Sequence, residues 1–157
     1  MSDDSSKKED FKHVVFKINS QNYGVKITTV KDVMTVPNIT KVPNAPEFVV
    51  GVANLRGVIL TIVDGSEIYA GLTTQVGPNT RILVVEDLAS GYLIGVMVDD
   101  VIGVIEIKAD EIMPFDKPTG EQDVVKGIYS TDDNVYILFD EVKMFQGLSP
   151  VGEASEA

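Results

Sequence analysis

The sequence of 157 residues has no cysteine and a single histidine, His13. The lack of cysteine excludes disulfide bonds, thiolate nucleophiles and sulfur-ligated zinc sites, and it is typical of a reducing compartment. One histidine cannot form a typical zinc site, and no serine–histidine–aspartate arrangement is recognisable around it. We therefore predict that His13 is a structural residue of an N-terminal strand.

Long apolar stretches are also absent. The longest, such as Tyr92–Val98, extend over about seven residues, whereas a helix needs about 20 to cross a bilayer. The N-terminal segment, MSDDSSKKED, lacks the apolar region of a secretory signal. These features predict a cytoplasmic protein that does not insert directly into a membrane.

Positive charge is scarce as well. The formal net charge is −11, and residues 11–148 hold 18 acidic and 11 basic side chains. Such a surface repels the phosphates of nucleic acids and anionic membranes, so we predict no nucleic-acid partner. Residues 1–10 and 149–157 are polar and poor in large apolar side chains, and we predict that both tails are disordered.

No catalytic motif stands out. The sequence has no Walker loop, no G-x-G-x-x-G fingerprint and no EF-hand loop. The adjacent Asp99 and Asp100 would point to opposite faces of a strand, which makes a shared metal ion difficult. Asp64 and Asp140 lie at strand ends before predicted helices, where a capping or turn role suits both. We predict a protein that is not an enzyme, with no catalytic residue, metal or cofactor.

The sequence is rich in short segments with strand character. Segment 23–34 alternates between apolar and polar residues and then slips by one position. This slip predicts a bulge or a short helical turn near Thr28–Val30. Segments 11–18, 80–88 and 92–107 also have the composition of strands, so the fold class is predicted to be mainly β.

The segment NLRGVILTIVDG, residues 54–65, is the most informative part of the chain. It joins strands at 49–55 and 58–64 through Arg56 and Gly57, and Gly57 is expected to take the positive φ of a tight hairpin. The apolar run Val58–Val63 is predicted to be buried throughout.

Two short helices are predicted after strands. The first is GSEIYAGL, with Ser66 as the expected cap at its start and Gly71 at its end. The second is EVKMFQGL, residues 141–148, which closes the ordered part of the chain.

The chain repeats itself. Residues 51–72 align with residues 127–148 at a constant offset of 76, and the segment after Tyr23 aligns with the segment after Ile94 at an offset of 71. Two similar small β-barrels packed against each other explain this repeat. We place them at about 11–75 and 78–148 within a single domain over 11–148, with strands or helices crossing between them.

The signature VPNAPEFVVGVANLRGVILTIVD resembles that of the chemotaxis coupling protein family, the CheW-like domain. The residues that carry the resemblance are Pro43, Pro46, Gly51, Val52, Asn54, Leu55, Arg56, Gly57 and Asp64. The resemblance extends over about residues 11–148 and departs from the family pattern at Thr61, where proline is frequent, and at Gly65–Ser66, where a basic residue is frequent.

The resemblance implies two intertwined five-stranded β-barrels, of the kind found in SH3-like and OB-like folds, with short helices. It also implies a non-catalytic adaptor that couples the cytoplasmic tips of methyl-accepting chemoreceptors to the regulatory domain of a CheA-type histidine kinase. Such an adaptor is expected to be a monomer in isolation and to lie at receptor arrays. From the residues alone, a small-molecule-binding double barrel that uses the cleft between its halves stays open as the alternative.

The resemblance also implies roles for individual residues. Arg56 is expected to pair with Asp32, which matches an acidic position in the first strand pair. Val30 and Val33 match positions near the receptor and kinase contacts, although both could instead belong to the core. Asn54 is included with them as a partner-binding or positioning residue.

Three glycines, Gly51, Gly57 and Gly95, are assigned to backbone geometry. The repeat supplies an independent argument about Arg56, because the equivalent position in the second half is Asp132. A cation that occurs in only one half is predicted to serve something that the shared fold does not require.

Overall fold

The computed structural model describes residues 11–87, 90–114, 124–141 and 143–145. Within these ranges the chain forms eleven strands, one α-helix and three short 3-10 turns. The strands are β1 Lys12–Ile18, β2 Gln21–Lys26, β3 Val30–Thr35, β4 Val49–Leu55, β5 Val58–Asp64, β6 Arg81–Glu86, β7 Leu93–Val98, β8 Asp100–Glu106, β9 Met113–Pro114, β10 Val125–Ser130 and β11 Val135–Phe139. The helix, α1, covers Gly65–Ala70, and the turns cover Ile27–Thr29, Ala109–Glu111 and Lys143–Phe145.

The strands form two sheets with a matching order. The five-stranded sheet runs β3-β6-β7-β5-β4, and the six-stranded sheet runs β8-β1-β2-β11-β10-β9. The first five strands of the second sheet are thus the counterparts of the whole first sheet, and β9 is an additional strand of two residues. The prediction of a mainly β fold is confirmed.

Each sheet takes two adjacent strands, one of them central, from the other half of the sequence. In the five-stranded sheet, β5 pairs in parallel with β7, with Thr61 opposite Ile94. In the six-stranded sheet, β11 pairs in parallel with β2, with Ile137 opposite Tyr23. These two pairs are related by the sequence offsets of 76 and 71. The repeat therefore describes equivalent strands, and the sheets interlock across the midpoint of the chain.

The strands β6 and β7 of the five-stranded sheet are buried on both faces. One face packs around a core of Ala53, Leu60, Ile62, Ile82, Val84 and Met97, to which β4, β5, β6 and β7 contribute. The other face contributes side chains such as Leu83 and Val96 to a larger core shared with Phe16 and Phe139 of the six-stranded sheet. Alternate residues of β6 and β7 point into the two cores, which explains why these strands are apolar at nearly every position.

The beginning of β5 does not follow the prediction of complete burial. Val58 is 53% exposed and Ile59 is 65% exposed, whereas Leu60 is 1% exposed. The neighbouring strand β7 pairs with β5 only over Thr61–Asp64. The first residues of β5 extend past β7 and pair only with β4. Their apolar side chains therefore lie at the protein surface.

The two predictions about the start of α1 have different outcomes, because the capping role of Asp64 is confirmed and that of Ser66 is wrong. Asp64, not Ser66, occupies the N-cap position, and its carboxylate accepts hydrogen bonds from the backbone N–H groups of Ser66 and Glu67. Gly71 ends the helix in the left-handed conformation, as expected. Because Asp64 is the last residue of β5, its short acceptor side chain already faces the free N–H groups of the first turn.

The turns bear on two other predictions, and they confirm the first. A 3-10 turn covers Ile27–Thr29 and a register shift follows between Val30 and Asp32, where the alternation slips by one position. The predicted C-terminal helix is represented by the 3-10 turn Lys143–Phe145, and the rest of it lies outside the described residues. Residues 1–10 and 149–157, which were predicted to be disordered, also lie outside them.

His13 is buried in β1, with an exposed fraction of 1%. Its Nδ1 lies 2.9 Å from the carbonyl oxygen of Phe11. Because that oxygen can only accept, Nδ1 carries the proton and Nε2 is left as an acceptor. Burial lowers the pKa of His13, with a further lowering by Lys126 and Lys26, while the Phe11 carbonyl and Glu141 act in the opposite direction.

This lowered pKa predicts a loss of stability in mild acid. Between the folded-state pKa of His13 and about 6.5, the unfolded chain binds a proton that the folded chain does not. The free energy of unfolding should therefore fall as the pH falls through this range. Urea titrations at several pH values should show a smaller fall for His13→Gln than for the wild type. Equal pH dependence in the two proteins would contradict the prediction.

Candidate partner-binding surface

The two-residue loop between β4 and β5 has an unusual backbone. Arg56 has a φ of 52° and Gly57 has a φ of 87°. Positive φ at both loop residues is the geometry of a type I′ hairpin, whose twist matches that of the strands. The side-chain oxygen of Asn54 accepts a hydrogen bond of 2.8 Å from the N–H of Gly57. Asn54 thus holds the loop in place, and the loop projects the Arg56 side chain outward.

Arg56 and Asp32 come from opposite edges of the five-stranded sheet. Asp32 lies on the edge strand β3, and Arg56 lies in the hairpin that includes the other edge strand, β4. Arg56 Nη2 is 4.0 Å from Asp32 Oδ2, at the limit of an ion pair, and the two side chains are 85% and 36% exposed. The sheet therefore curls so that its edges approach each other. At this distance and exposure the pair contributes at most about 1 kcal/mol.

Exposed apolar residues are the sequence neighbours of this charged pair. Val58 and Ile59 follow the loop directly and are more than half exposed, and Val33 beside Asp32 is 40% exposed. We call Asp32, Val33, Asn54, Arg56, Val58 and Ile59 the hairpin face. Exposed apolar groups next to an arginine and a carboxylate are typical of a protein–protein contact surface. The sequence alone did not identify Val58 and Ile59 as surface residues. An apolar strand has the same sequence pattern whether or not a neighbouring strand covers it.

The structure separates the two valines of β3. Val30 is partly buried and packs against the large core between the sheets. Val33 points away from the protein. The register shift between Val30 and Asp32 changes the alternation, and Asp32 Oδ1 accepts a 2.8 Å hydrogen bond from the Val33 N–H. Of the two residues, Val33 is the one available to a partner.

The three glycines occupy different environments. Gly57 has open space around the position of a Cβ atom, so positive φ is its only constraint. A Cβ atom on Gly95 would lie 2.7 Å from Ile62 Cδ1 and 2.8 Å from Ile82 Cγ2, so Gly95 makes room for the core. At Gly51, φ is 155° and a Cβ atom would overlap the carbonyl oxygen of Thr40.

The equivalent surface of the six-stranded sheet lacks the charged pair. Asp32 is opposite Val84 in β6, and its counterpart Gly103 is opposite Val15 in β1. The counterpart of Arg56 is Asp132 in the β10–β11 loop. A glycine and an aspartate cannot form this ion pair. The hairpin face is therefore a property of one sheet only.

The described part of the chain offers little for catalysis. No group of three or more histidine, aspartate or glutamate residues suitable for a metal ion occurs among these residues. The buried carboxylate of Asp64 is engaged by Thr74, whose N–H and hydroxyl donate to it at 2.9 and 2.6 Å. Within the same ranges, no helix is long and apolar enough to cross a membrane.

Comparison with known proteins assigns the chain to a family. The model of the CheW-like domain family matches residues 12–149. The chain belongs to the CheW-like domain family. As a member of that family it is a non-catalytic chemotaxis coupling adaptor.

Individual relatives agree with this assignment. The chemotaxis protein CheW of Klebsiella aerogenes is 28% identical over 133 residues, which cover 83% of this chain and 79% of the relative. The CheW of Thermotoga maritima is 27% identical over 90% of this chain and 91% of its own length. The crystal structure of the scaffolding protein TtCheW from Thermoanaerobacter tengcongensis is 35% identical, with a TM-score of 0.73 over 83% of this chain and 84% of that chain.

Proposed function

We propose that this adaptor joins the cytoplasmic tips of chemoreceptors to a CheA-type histidine kinase in the cytoplasm, at receptor arrays. The hairpin face is proposed to contact one of these two partners. The observation that carries the proposal is the position of Arg56, which is 85% exposed beside a carboxylate and exposed apolar residues. An arginine in that setting contributes little to folding, so its value lies in contacts with another protein.

Val58 and Ile59 support the proposal independently. Both are apolar and β-branched, and both occupy a strand segment that does not pair with β7 and is more than half exposed. Burial of these two side chains by a partner would stabilise the complex through the hydrophobic effect. The charged pair would determine the orientation of the partner. Such a surface acts by binding and needs no catalytic activity. The adaptor acts by holding two proteins in a fixed arrangement.

Reconstitution tests the proposed function directly. Purified adaptor is mixed with receptor signalling fragments and the histidine kinase of the same organism, and kinase autophosphorylation is measured with each component left out in turn. We expect kinase activity to respond to receptor only when the adaptor is present. Control of the kinase by receptor without the adaptor would contradict the proposal. Analytical ultracentrifugation of the adaptor alone is expected to show a monomer.

Arg56→Glu is the first variant to examine. Reversal of the charge places two carboxylates side by side on the hairpin face, and we expect partner affinity to fall by about tenfold or more. The free energy of unfolding should change by less than about 1 kcal/mol because the pair is exposed. Pull-down and thermal melting measure the two effects. A large loss of stability with no separate binding defect would contradict a role in binding.

Ile59→Asp tests the apolar part of the hairpin face, and the repeat provides its control. Val135 is the counterpart of Ile59 at the offset of 76, and it is 48% exposed on the other hairpin. We expect Ile59→Asp to weaken partner binding by about tenfold or more, whereas Val135→Asp should leave that binding nearly unchanged. Equal losses in both variants, or a loss only in Val135→Asp, would show that the contact surface lies elsewhere.

A further inference from the structure

A second feature lies at one end of the six-stranded sheet, away from the hairpin face. A cavity of about 240 Å³ opens between the ends of β1, β2, β8 and β10. Its lining residues are Phe11, His13, Lys26, Ile107, Ala109, Ile112 and Lys126. None of these residues is acidic, although the protein as a whole has a net charge of −11. The cavity is therefore a cationic site in an acidic protein.

Two lysines share a single carboxylate behind the cavity. Lys26 Nζ is 3.1 Å from one oxygen of Glu141 and Lys126 Nζ is 3.8 Å from the other. Asp140 also attracts Lys126, more weakly than Glu141 does, while Lys26 repels it. The two lysines and these two carboxylates therefore form one charged cluster at the wall of the cavity. Both lysine side chains are partly removed from solvent, with exposed fractions of 35% for Lys26 and 19% for Lys126. An anion in the cavity would meet these two ammonium groups and no carboxylate among the lining residues.

His13 fixes the inner end of the cavity. Its protonated Nδ1 is held by Phe11, and its Nε2 lies 3.4 Å from Lys126 Nζ. The ring therefore accepts from the ammonium group and holds it toward the interior. Burial lowers the pKa of Lys126, and Glu141 counteracts that lowering. The Lys126 ammonium group is thus held at the cavity wall between His13 and Glu141, where an anion in the cavity would contact it.

The remaining walls determine what kind of anion would fit. Phe11, Ile107, Ala109 and Ile112 are apolar and line the cavity beside the cations. The volume is below the range of about 300–1,000 Å³ for sites of drug-sized ligands. We propose that this cavity binds a small organic carboxylate, with the carboxylate between Lys26 and Lys126 and a short aliphatic chain against the apolar walls. This site is independent of the proposed coupling role, since its residues lie outside the hairpin face.

Nuclear magnetic resonance provides a selective test because His13 is the only histidine in the sequence. Its ring signals are followed in untagged protein during titration with sodium butyrate at constant ionic strength. We expect saturable shifts of these signals and a rise in the pKa of His13, because a nearby negative charge favours the imidazolium. Butanol, which has the same chain without the charge, and inorganic phosphate, which has the charge without the chain, should produce much smaller shifts.

Matched lysine variants connect the binding to the site. Lys126→Met should weaken butyrate binding by about tenfold or more, while Lys41→Met, at an exposed loop position, should bind like the wild type. If Lys126→Met does not fold by circular dichroism, Lys26→Met takes its place with the same expectation. Unmoved His13 signals, equal shifts with butanol, tighter binding of phosphate, or undiminished binding in the folded lysine variants would each overturn the proposal.

Discussion

Replacing Asp64 with alanine is expected to lower the free energy of unfolding by about 3 kcal/mol. Asp64 is 4% exposed, and its carboxylate accepts from four donors. Two are the N–H groups of Ser66 and Glu67 in the first turn of α1, and two belong to Thr74 in the loop after the helix. Loss of the cap costs about 1 kcal/mol, and the buried donors of Thr74 would be left without their partner at a cost of about 1–3 kcal/mol.

The repeat supplies the control for this variant. Asp140 occupies the equivalent position at the end of β11, where its side chain accepts from the N–H of Lys143 and is only partly buried. We expect Asp140→Ala to cost about 1 kcal/mol. Asp64→Asn should fall between these values, since asparagine caps helices well but cannot accept at both of its side-chain atoms. Urea denaturation measures all three. Similar losses for Asp64→Ala and Asp140→Ala would contradict the role of Thr74.

Replacing Gly51 with alanine is expected to cost about 3–4 kcal/mol. Two effects contribute. The φ of 155° is a conformation that side chains disfavour, and the new Cβ atom would overlap the Thr40 carbonyl oxygen and lie 2.7 Å from Ile39 Cγ2. Thr40 forms a bridge with Val52 of β4, with backbone hydrogen bonds of 2.8 Å in each direction. The segment that contains Ile39 and Thr40, here called the crossing segment, cannot move away from Gly51 without breaking that bridge.

Gly103→Ala separates the two contributions. Gly103 has the same φ of 155°, but the space around its Cβ position is open to beyond 4 Å. This variant should therefore show the conformational cost alone, about 1–2 kcal/mol, and Gly51→Ala should exceed it by about 2 kcal/mol. Thermal melting and urea denaturation of the two variants provide the comparison. If the losses are equal, the contact with the crossing segment has no energetic consequence.

Gly127, the counterpart of Gly51 at the offset of 76, shows why a glycine recurs at this position of the repeat. A Cβ atom there would overlap Ile112 Cγ2 and lie 2.7 Å from the carbonyl oxygen of Met113. In both halves a chain segment crosses directly over the glycine, and both glycines follow a register shift in their strand pair. The repeated glycine was visible in the sequence. The contact between this glycine and the backbone that crosses it was not predicted, because that backbone belongs to a separate segment of the chain.

Local patterns predicted the elements well where the cause is local. The Arg56–Gly57 loop is determined by two residues with positive φ and by the apolar strands beside them. The slip in alternation near Thr28–Val30 reflects a turn and a register shift at that place. The sequence pattern could not predict which residues at the start of β5 are exposed. Their exposure depends on the point at which β7 stops pairing with β5.

The candidate sites differ in how far the sequence could predict them. Arg56 was identified because the repeat places Asp132 at the equivalent position, and its proximity to Asp32 was suggested by family resemblance. The cationic cavity was not foreseen. His13, Lys26, Lys126 and Glu141 are far apart in the chain. They come together through the pairing of β1 with β2, of β2 with β11 and of β11 with β10.

The sequence by itself determined the strands, the tight hairpin, the two-fold repeat and the family, because alternation, turn residues and motif spacing are properties of neighbouring residues. Only the tertiary structure decided which half supplies which strand, which apolar residues remain exposed and which charges converge. The physical reason is that parallel pairing of β5 with β7 and of β11 with β2 joins segments of different halves. Contacts at such separation depend on packing of the whole chain and leave no local pattern.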